Sequence, residues 1–240
     1  MIVSNPLEQG LPFAAVALNN QLPKYFDSVW KNANIRVCVD GGSNRVLDYF
    51  VDRNEKKFLS PDVIVGDLRS IRPEVQHEFE STGSQIVKIN NSQVTDAEKA
   101  INLLSDMKYK NSILLLGAFG GRFDQTAAMI HAALARPDMN IILADDSNFS
   151  NWIFPGKTKI LTPQICTTHV CGLIPLLKPV SLKTEGFRWN LDWGTLTMGE
   201  FISSSNEVAA PEVSVETNDP IFWTIQAKKV VEIQKSKQQK

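Results

Sequence analysis

Short apolar runs that lead into aspartate limit the fold of this chain more than any other feature. Residues 37–39 and 63–65 are apolar and mostly β-branched, and they lead into Asp40 and, after one glycine, Asp67. Residues 113–116 form a third such run before a glycine. Runs of this length are typical of strands buried in a parallel sheet. Because ligands bind at the carboxyl ends of such strands, we expect the acids at a ligand-binding edge.

Several acids at one sheet edge, with nothing apolar between them, would repel one another. Two carboxylates about 4 Å apart repel by roughly 4 kcal/mol at an effective dielectric constant of ~20. Such a cluster needs cations. Acids beside glycine turns and an arginine indicate Mg²⁺ with a polyphosphate.

Length and charge leave room for an ordinary globular protein. The chain has 240 residues, of which 43% are hydrophobic and 21% charged, enough for one large domain or two small ones. The formal net charge of -1 attracts neither nucleic acid nor acidic membranes, so we expect neither partner. Residues 1–12 carry no basic residue, and no segment approaches the length of a membrane span. A cytoplasmic location is the expectation.

The three cysteines give only a weak metal signal. Cys38 falls in a predicted buried strand and is expected to be a core residue. Cys166, His169 and Cys171 offer three soft ligands, but their spacing fits no standard zinc pattern. Alternation in this segment favours a strand instead.

Strand and helix signals alternate over the first part of the chain. Thr95 is a plausible N-cap with Glu98 as its capping-box partner, and Pro73 suits a first helical turn. This alternation predicts βαβ units and a mostly parallel sheet. The predicted strands span residues 13–18, 35–39, 62–65, 86–89, 113–116 and 141–144, and the predicted helices span 22–31, 44–50, 73–81, 95–107 and 126–135.

The pattern changes near residues 145–151. Beyond them helical periodicity disappears, and short strands are separated by turn signals, which predicts an antiparallel sandwich or barrel. We therefore expect an α/β nucleotide-binding domain over 1–148 and a β-sandwich domain over 149–240. The lysine- and glutamine-rich residues 228–240 are expected to be a solvated strand end and a frayed terminus.

Four polar segments are candidate binding sites, and each has a structural alternative. The glycines that follow Asp40 would let backbone N–H groups approach a ligand, or they form a plain βα turn. Asp67 lies beside the metal or the phosphates, or it is a turn carboxylate that pairs with Arg69 in water. Thr95-Asp96 is a ligand pair or a simple helix cap.

The fourth segment, residues 120–125, is the most specific. It reads Gly-Gly-Arg-Phe-Asp-Gln after a leucine-rich strand, and Asp124 and Gln125 are expected to begin a helix. The guanidinium of Arg122 is suited to phosphate, and the two glycines leave room for it. A surface arginine–aspartate pair is the alternative.

Two features of the second half are less decisive. Residues 203–206 (Ser-Ser-Ser-Asn) are dense in hydrogen-bonding groups, which is also typical of a turn. Trp223 would stack on a flat heteroaromatic cation or fill the core. Neither a P-loop nor a complete Gly-x-Gly-x-x-Gly fingerprint is present, which disfavours a P-loop kinase and a dinucleotide oxidoreductase.

Together these segments resemble the eukaryotic thiamine pyrophosphokinase family over nearly the whole chain. The resemblance implies a homodimer with a thiamine site near the subunit interface. It also implies transfer of the β,γ-pyrophosphoryl group from ATP to the thiamine hydroxyl, releasing AMP. The matching segments are residues 39–45, 61–67, 95–96 with Lys99, 120–125, 171–175, 184–191, 203–206 and 213–223.

The resemblance also implies roles for individual residues. The metal ligands would be Asp40, Asp67 and Asp96, and the catalytic group would be Asp67, Asp96, Arg122 and Asp124. ATP and its phosphates would be held by Asp40, Gly41, Gly42, Asn44, Arg45, Thr95, Lys99, Gly120, Gly121 and Gln125. Arg69, which stands where the family has an acid, is added as a further candidate for phosphate binding. Thiamine would contact Gln125, Ser203, Ser205, Asn206 and Trp223.

The chain departs from the family pattern in two places. The family usually reads Gly-Asp-x-Asp-Ser where this chain has Arg69 in place of the second acid. The commonly acidic stretch before Thr95 is Asn-Asn-Ser-Gln at residues 90–93. Both changes remove negative charge from the expected Mg²⁺ site. Arg69 would contact phosphate directly, or it would alter activity or metal preference. A non-catalytic homologue that binds thiamine or nucleotide is the rival hypothesis.

Overall fold

Two compact units make up the chain. The computed structural model describes residues 2–4, 7, 10–54, 59–162 and 167–228. The first unit is Pro12–Asp145, and the second unit comprises the described residues before Pro12 and those from Asp146 onward. Strand β1 (Ile2–Ser4) thus belongs to the second unit, because it pairs in parallel with residues 159–161. The sequence did not predict this strand.

Six strands of the first unit form one parallel sheet. Their order is β7-β6-β2-β3-β4-β5, and every neighbouring pair is parallel. Every residue of the central β2 is buried, as expected for a strand covered on both faces. The strands are β2 (Phe13–Ala17), β3 (Ile35–Val39), β4 (Val63–Gly66), β5 (Gln85–Lys88), β6 (Ser112–Leu116) and β7 (Ile141–Ala144).

Five helices of the first unit connect these strands. The predicted capping box is confirmed, because Thr95 and Glu98 exchange side-chain and backbone hydrogen bonds at the start of α4. Pro73 occupies the first turn of α3, where its missing N–H costs nothing. The helices are α1 (Phe26–Asn32), α2 (Gly42–Val51), α3 (Pro73–Ser81), α4 (Asp96–Asp106) and α5 (Phe123–Leu134).

Two helix starts differ from the prediction by three residues or more. The helix predicted from residue 22 begins at Phe26, because Pro23 disfavours a helical conformation at Leu22 and its carbonyl accepts the Phe26 N–H at 2.8 Å. Leu22 is buried all the same, so its apolar spacing misled the helical pattern. Helix α5 begins three residues before Thr126, since the extended Arg122 serves as its N-cap.

The second unit contains two mainly antiparallel sheets. One has the order β13-β10-β15-β8, and the other has the order β1-β9-β14-β11-β12, in which only the β1–β9 pair of the described strands is parallel. The predicted fold class is confirmed. The strands are β8 (Asn148–Ile153), β9 (Gly156–Leu161), β10 (Thr167–Ile174), β11 (Val180–Glu185), β12 (Gly194–Leu196), β13 (Ser203–Glu207), β14 (Glu212–Thr217) and β15 (Ile221–Ala227).

Some predicted features need separate mention. The strand expected around His169 is confirmed as part of β10, whereas Cys166 and nearly all of the lysine-rich tail lie outside the described residues. Cys38 and Cys171 are buried, and burial raises the pKa of the Cys171 thiol to about 12. Among the described residues, every helix is too short or too polar to span a bilayer.

Candidate active site

The predicted acids gather at the carboxyl edge of the parallel sheet. Asp40 follows β3 and Asp67 follows the neighbouring β4, so the two carboxyl groups meet and share a hydrogen bond. Asp96 opens α4 and adds its negative field to that of Asp67 at Asp40. The parallel arrangement read from the sequence therefore brings three of the predicted acids together.

Asp40 is the buried member of this group. Its side chain is 2% exposed, its backbone has a φ of 43°, and its Oδ1 accepts the N–H groups of Ser70 at 3.0 Å and Ile71 at 2.8 Å. Opposite it, a Cβ on Gly66 would lie 2.7 Å from the Asp40 Cβ, so this position requires glycine. Asp40 thus holds the loop after β4 in place.

Protonation differs between the two touching acids. Burial raises the pKa of Asp40, and the neighbouring carboxyl groups of Asp67 and Asp96 raise it further against the effect of the two backbone N–H groups. Hydrogen bonds from Arg69 lower the pKa of Asp67 well below its usual range. The part of this rise that comes from Asp67 and Asp96 reflects negative charge that a cation would offset.

Arg69 is the cation that Asp67 contacts in this structure. Its Nε and Nη2 donate to Asp67 Oδ2 at 2.9 and 2.6 Å, and its backbone N–H donates to Asp67 Oδ1 at 3.1 Å. The side chain of Arg69 is nonetheless 80% exposed. This is the arginine–aspartate pair that the structural alternative described.

A cavity of about 510 Å³ in the first unit brings together eight of the residues predicted for catalysis, metal binding or nucleotide binding. It combines acids, cations and a glycine-containing loop, which is the mixture that a metal-bound polyphosphate requires. The predicted residues that line it are Asp67, Arg69, Thr95, Asp96, Lys99, Gly120, Arg122 and Gln125.

The segment from Gly41 to Arg45 has an architectural role. A Cβ on Gly41 would lie 2.4 Å from the Asn19 side chain, and one on Gly42 would lie 2.3 Å from the Ala17 carbonyl oxygen. Asn44 donates to the Ser70 carbonyl at 2.8 Å and accepts the Arg72 N–H at 3.0 Å, while Arg45 Nε donates to Asn19 at 3.2 Å. Close packing against Asn19 and Ala17 accounts for these glycines without a ligand.

Lys99 is a buried cation in the wall of the cavity. It is 4% exposed, and its Nζ donates to Asp96 Oδ1 at 2.8 Å. Capping by Thr95 places Asp96 at the helix start, and a spacing of three residues then brings Lys99 onto the same face.

Arg122 lines the cavity at the N-cap of α5, and it pairs with Asp124, which lies in the first turn of that helix and does not line the cavity. Arg122 Nε donates to Asp124 Oδ1 at 3.0 Å, and both side chains are exposed. The hydrogen bonds from Arg122 lower the pKa of Asp124, so this acid is a carboxylate near neutral pH. Phe123 between them is 83% exposed.

Sequence reasoning missed two asparagines of this site. Asn19 and Asn20 follow β2 and line the cavity. Asn20 Nδ2 donates to the carbonyl oxygens of Gly117 at 3.0 Å, Phe119 at 2.9 Å and Gly120 at 3.3 Å, which holds the glycine loop after β6. The signal was present, because these amides follow a buried strand as the acids do, but only acids were considered.

In the second unit, Asn206 has its hydrogen-bonding groups occupied within the chain. It is 5% exposed, its Nδ2 donates to the Trp189 carbonyl at 2.9 Å and to Ser203 Oγ at 3.1 Å, and its Oδ1 accepts the N–H groups of Trp189 at 3.3 Å and Glu207 at 2.8 Å. Asn206 therefore fixes the Trp189 turn. Ser203 is buried beside it, and Ser205 is exposed with a φ of 57°.

Trp223 lies in the core of the second unit. It is 2% exposed, and its ring packs edge to face on Phe187 with 5.7 Å between the ring centroids. This placement matches the core alternative and gives the ring no open face for stacking on thiamine. Trp189 and Trp193 are the tryptophans at the surface of the second unit, each about half exposed.

The described part of the chain holds no group of three His, Cys, Asp or Glu side chains arranged as a ready-made metal site. Asp67 is engaged by Arg69 and Asp96 by Lys99. The three acids named as metal ligands are thus close in space, with two of them paired to cations of the protein itself.

Comparison with known proteins identifies the family. A family model described as "Thiamin pyrophosphokinase, catalytic domain" matches residues 26–143, and one described as "Thiamin pyrophosphokinase, vitamin B1 binding domain" matches residues 157–222. Thiamine pyrophosphokinase 2 of Oryza sativa subsp. japonica is 36% identical over 229 residues, covering 89% of this chain and 85% of the rice protein. The chain belongs to the thiamine pyrophosphokinase family.

Other thiamine pyrophosphokinases agree with this assignment. Thiamine pyrophosphokinase 2 of Arabidopsis thaliana is 34% identical over 238 residues, covering 92% of this chain and 88% of its own. The crystal structure of yeast thiamin pyrophosphokinase matches with a TM-score of 0.82 at 22% identity, covering 96% of this chain and 93% of the yeast chain. The structural likeness shows the shared fold, and the family resemblance read from the motifs is confirmed.

Proposed function

We propose that this chain is a thiamine diphosphokinase that transfers the β,γ-pyrophosphoryl group of ATP to the hydroxyl of thiamine and releases AMP. The observation that carries the proposal is the single cavity that brings Asp67, Asp96, Lys99 and Arg122 together at the carboxyl edge of the sheet. Family membership adds the identity of the two substrates. A volume of about 510 Å³ is in the usual range for a small-molecule site.

The cations of the cavity are suited to the phosphates of ATP. Lys99 is buried and supplies a fixed point charge, whereas Arg122 and Arg69 are exposed forks able to turn from a carboxylate to a phosphate. The loop at Gly120 and Gly121 is open, since a Cβ on Gly120 would meet nothing within 4 Å. We assign the phosphate chain to this loop and these cations.

The acid cluster fits a divalent magnesium ion. Asp40, Asp67 and Asp96 offer only oxygen ligands, which Mg²⁺ prefers, and the negative charges of Asp67 and Asp96 add to the effect of burial in raising the pKa of Asp40. When bound, Mg²⁺ would offset charge on the polyphosphate. We propose these three residues as its holders.

The chemical step needs positioning and one proton acceptor. The thiamine oxygen attacks the β-phosphorus in line, the new O–P bond forms, and the bond to the oxygen of AMP breaks, so AMP takes the electron pair. Arg122 stabilises charge on the phosphates. Asp124 or Asp96 accepts the hydroxyl proton, and Asp124 is held as a carboxylate by Arg122.

The second unit would supply the thiamine site, through Ser203, Ser205 and the turn held by Asn206. We also propose a homodimer with that site near the subunit interface. Support comes from four large apolar side chains that are half exposed within a short stretch, which is typical of an interaction surface. They are Trp189, Trp193, Met198 and Phe201. The proposed location is the cytoplasm.

The test is incubation of the pure protein with thiamine, ATP and Mg²⁺, followed by chromatographic separation of the products. Thiamine diphosphate with an equal amount of AMP is expected. Thiamine monophosphate with ADP would indicate a different kinase reaction. Folded protein that binds thiamine or ATP in calorimetry but forms no product with Mg²⁺ or Mn²⁺ would identify a non-catalytic homologue.

A further inference from the structure

Arg69 occupies both oxygens of one proposed metal ligand. Its guanidinium binds Asp67 Oδ2 through two N–H groups, and its backbone N–H takes Asp67 Oδ1. The guanidinium is also stabilised by the fields of Asp40 and Asp96. In this structure the positive charge that offsets the acid cluster therefore comes from a side chain of the protein itself.

This arginine is free to leave. Its side chain is 80% exposed, and an ion pair with an exposed partner contributes little to stability, so releasing Asp67 costs little. Arg69 lines the same cavity as Lys99 and Arg122, where a polyphosphate would offer it stronger bidentate partners. The Arg69 side chain can thus exchange the Asp67 carboxylate for a phosphate in the same cavity.

We propose that Arg69 competes with the divalent cation for Asp67 and gives up this ligand when a polyphosphate enters the cavity. The free protein then binds the metal weakly, and phosphate binding makes Asp67 available. This inference rests on the proposed function, since it takes Asp67 as a metal ligand and polyphosphate as the occupant. Arg69 acts as a positioning residue that links metal binding to nucleotide binding.

A matched control exists in the same unit. Arg136 and Asp138 form an ion pair with the same two-residue spacing, with Nη2–Oδ2 at 3.1 Å, after the end of α5; the Asp138 side chain is 62% exposed and that of Arg136 is 21% exposed. Arg136 does not line the cavity described above. Removing its charge alters the net charge by the same amount as removing that of Arg69.

The experiment measures Mn²⁺ binding to the nucleotide-free protein by calorimetry, with folding checked by thermal melting. Arg69→Gln is expected to tighten Mn²⁺ binding roughly fivefold to tenfold, because Asp67 loses its internal partner. Arg69→Lys, which keeps the charge but not the fork, should fall between the two. Arg136→Gln should leave Mn²⁺ affinity unchanged.

A second titration uses inorganic tripolyphosphate without metal. Arg69→Gln should weaken its binding roughly fivefold to tenfold, because a phosphate contact is lost. Unchanged Mn²⁺ affinity in Arg69→Gln, or equal tightening in Arg136→Gln, would overturn the proposal. Neither titration depends on turnover, so a protein that formed no thiamine diphosphate would refute the proposed function and leave this result readable.

Discussion

The predicted site residues of the first unit and those of the second unit are placed differently. Asp67, Asp96 and Arg122 line a cavity, whereas Asn206 is saturated within the chain and Trp223 is in the core. Charged groups are costly to bury unpaired, so a motif rich in acids and arginines points toward solvent or a ligand. Asparagine and tryptophan can be buried once their polar groups are hydrogen-bonded within the protein. A sequence motif of these residues therefore does not predict exposure as reliably as a motif of charged residues.

The sharpest test of the first region is Asp124→Asn. Turnover should fall roughly 10²–10⁴-fold if Asp124 accepts the proton, while the melting temperature changes little because the side chain is exposed. Steady-state assays of thiamine diphosphate formation measure this. Asp138→Asn, which breaks the similarly spaced pair with Arg136, should keep full activity. Unchanged turnover in Asp124→Asn would rule out Asp124 as the proton acceptor and leave Asp96 in that role.

Glycine substitutions distinguish the closely packed glycines of the first unit from those in its open loop. Gly42→Ala should lower the free energy of unfolding by about 3 kcal/mol, because its Cβ would lie 2.3 Å from a backbone oxygen. Gly120→Ala meets nothing within 4 Å and should cost about 1 kcal/mol through its φ of 86°. Chemical denaturation measures both. An equal loss of unfolding free energy in the two variants would contradict this distinction between a packed glycine and an open one.

In the second region, Asn206→Ala should lower the free energy of unfolding by about 2 kcal/mol, because the partly buried backbone N–H groups of Trp189 and Glu207 lose their acceptor. Ser205→Ala, on an exposed residue, should change it by less than about 0.5 kcal/mol. A stable Asn206→Ala protein that failed to bind thiamine would break the comparison, since it would show Asn206 facing the ligand.

The smallest effect concerns pH. Because the pKa of Asp40 is raised in the folded protein, its contribution to stability is present below the usual aspartate pKa and is lost as pH rises through the raised value. Asp40→Asn imitates the protonated form and can still accept both backbone N–H groups. Melting curves should show a gain in stability over the parent protein at pH 8 that shrinks toward acidic pH. A gain independent of pH would contradict this reasoning.

Local patterns in the sequence predicted much of the first unit. Valine-rich runs specify buried strands by themselves, and the Thr95–Glu98 pair caps α4 through neighbours three residues away. The acids of the site were found because parallel strands bring their carboxyl ends to one edge. These features depend on short-range chemistry and on one rule of topology.

The features that escaped prediction depend on distant partners. Strand β1 pairs with β9, more than 150 residues further along the chain, and no local signal specifies that pairing. The burial of Trp223 depends on Phe187, and the saturation of Asn206 depends on the Trp189 turn. Composition identifies the groups that can hydrogen-bond, but only the folded chain shows which partner each one takes.

One amide of Asn20 holds three carbonyl oxygens that lie 97 to 100 residues away in sequence. A change in the loop after β6 that moves those oxygens also strips Asn20 of its partners, and a change at Asn20 releases the loop. Mutations at the two places are therefore expected to show epistasis. A library that varies Asn20 and the loop together should contain functional double variants whose single substitutions are each inactive. Scanning one position at a time would therefore underestimate how much sequence variation this loop tolerates.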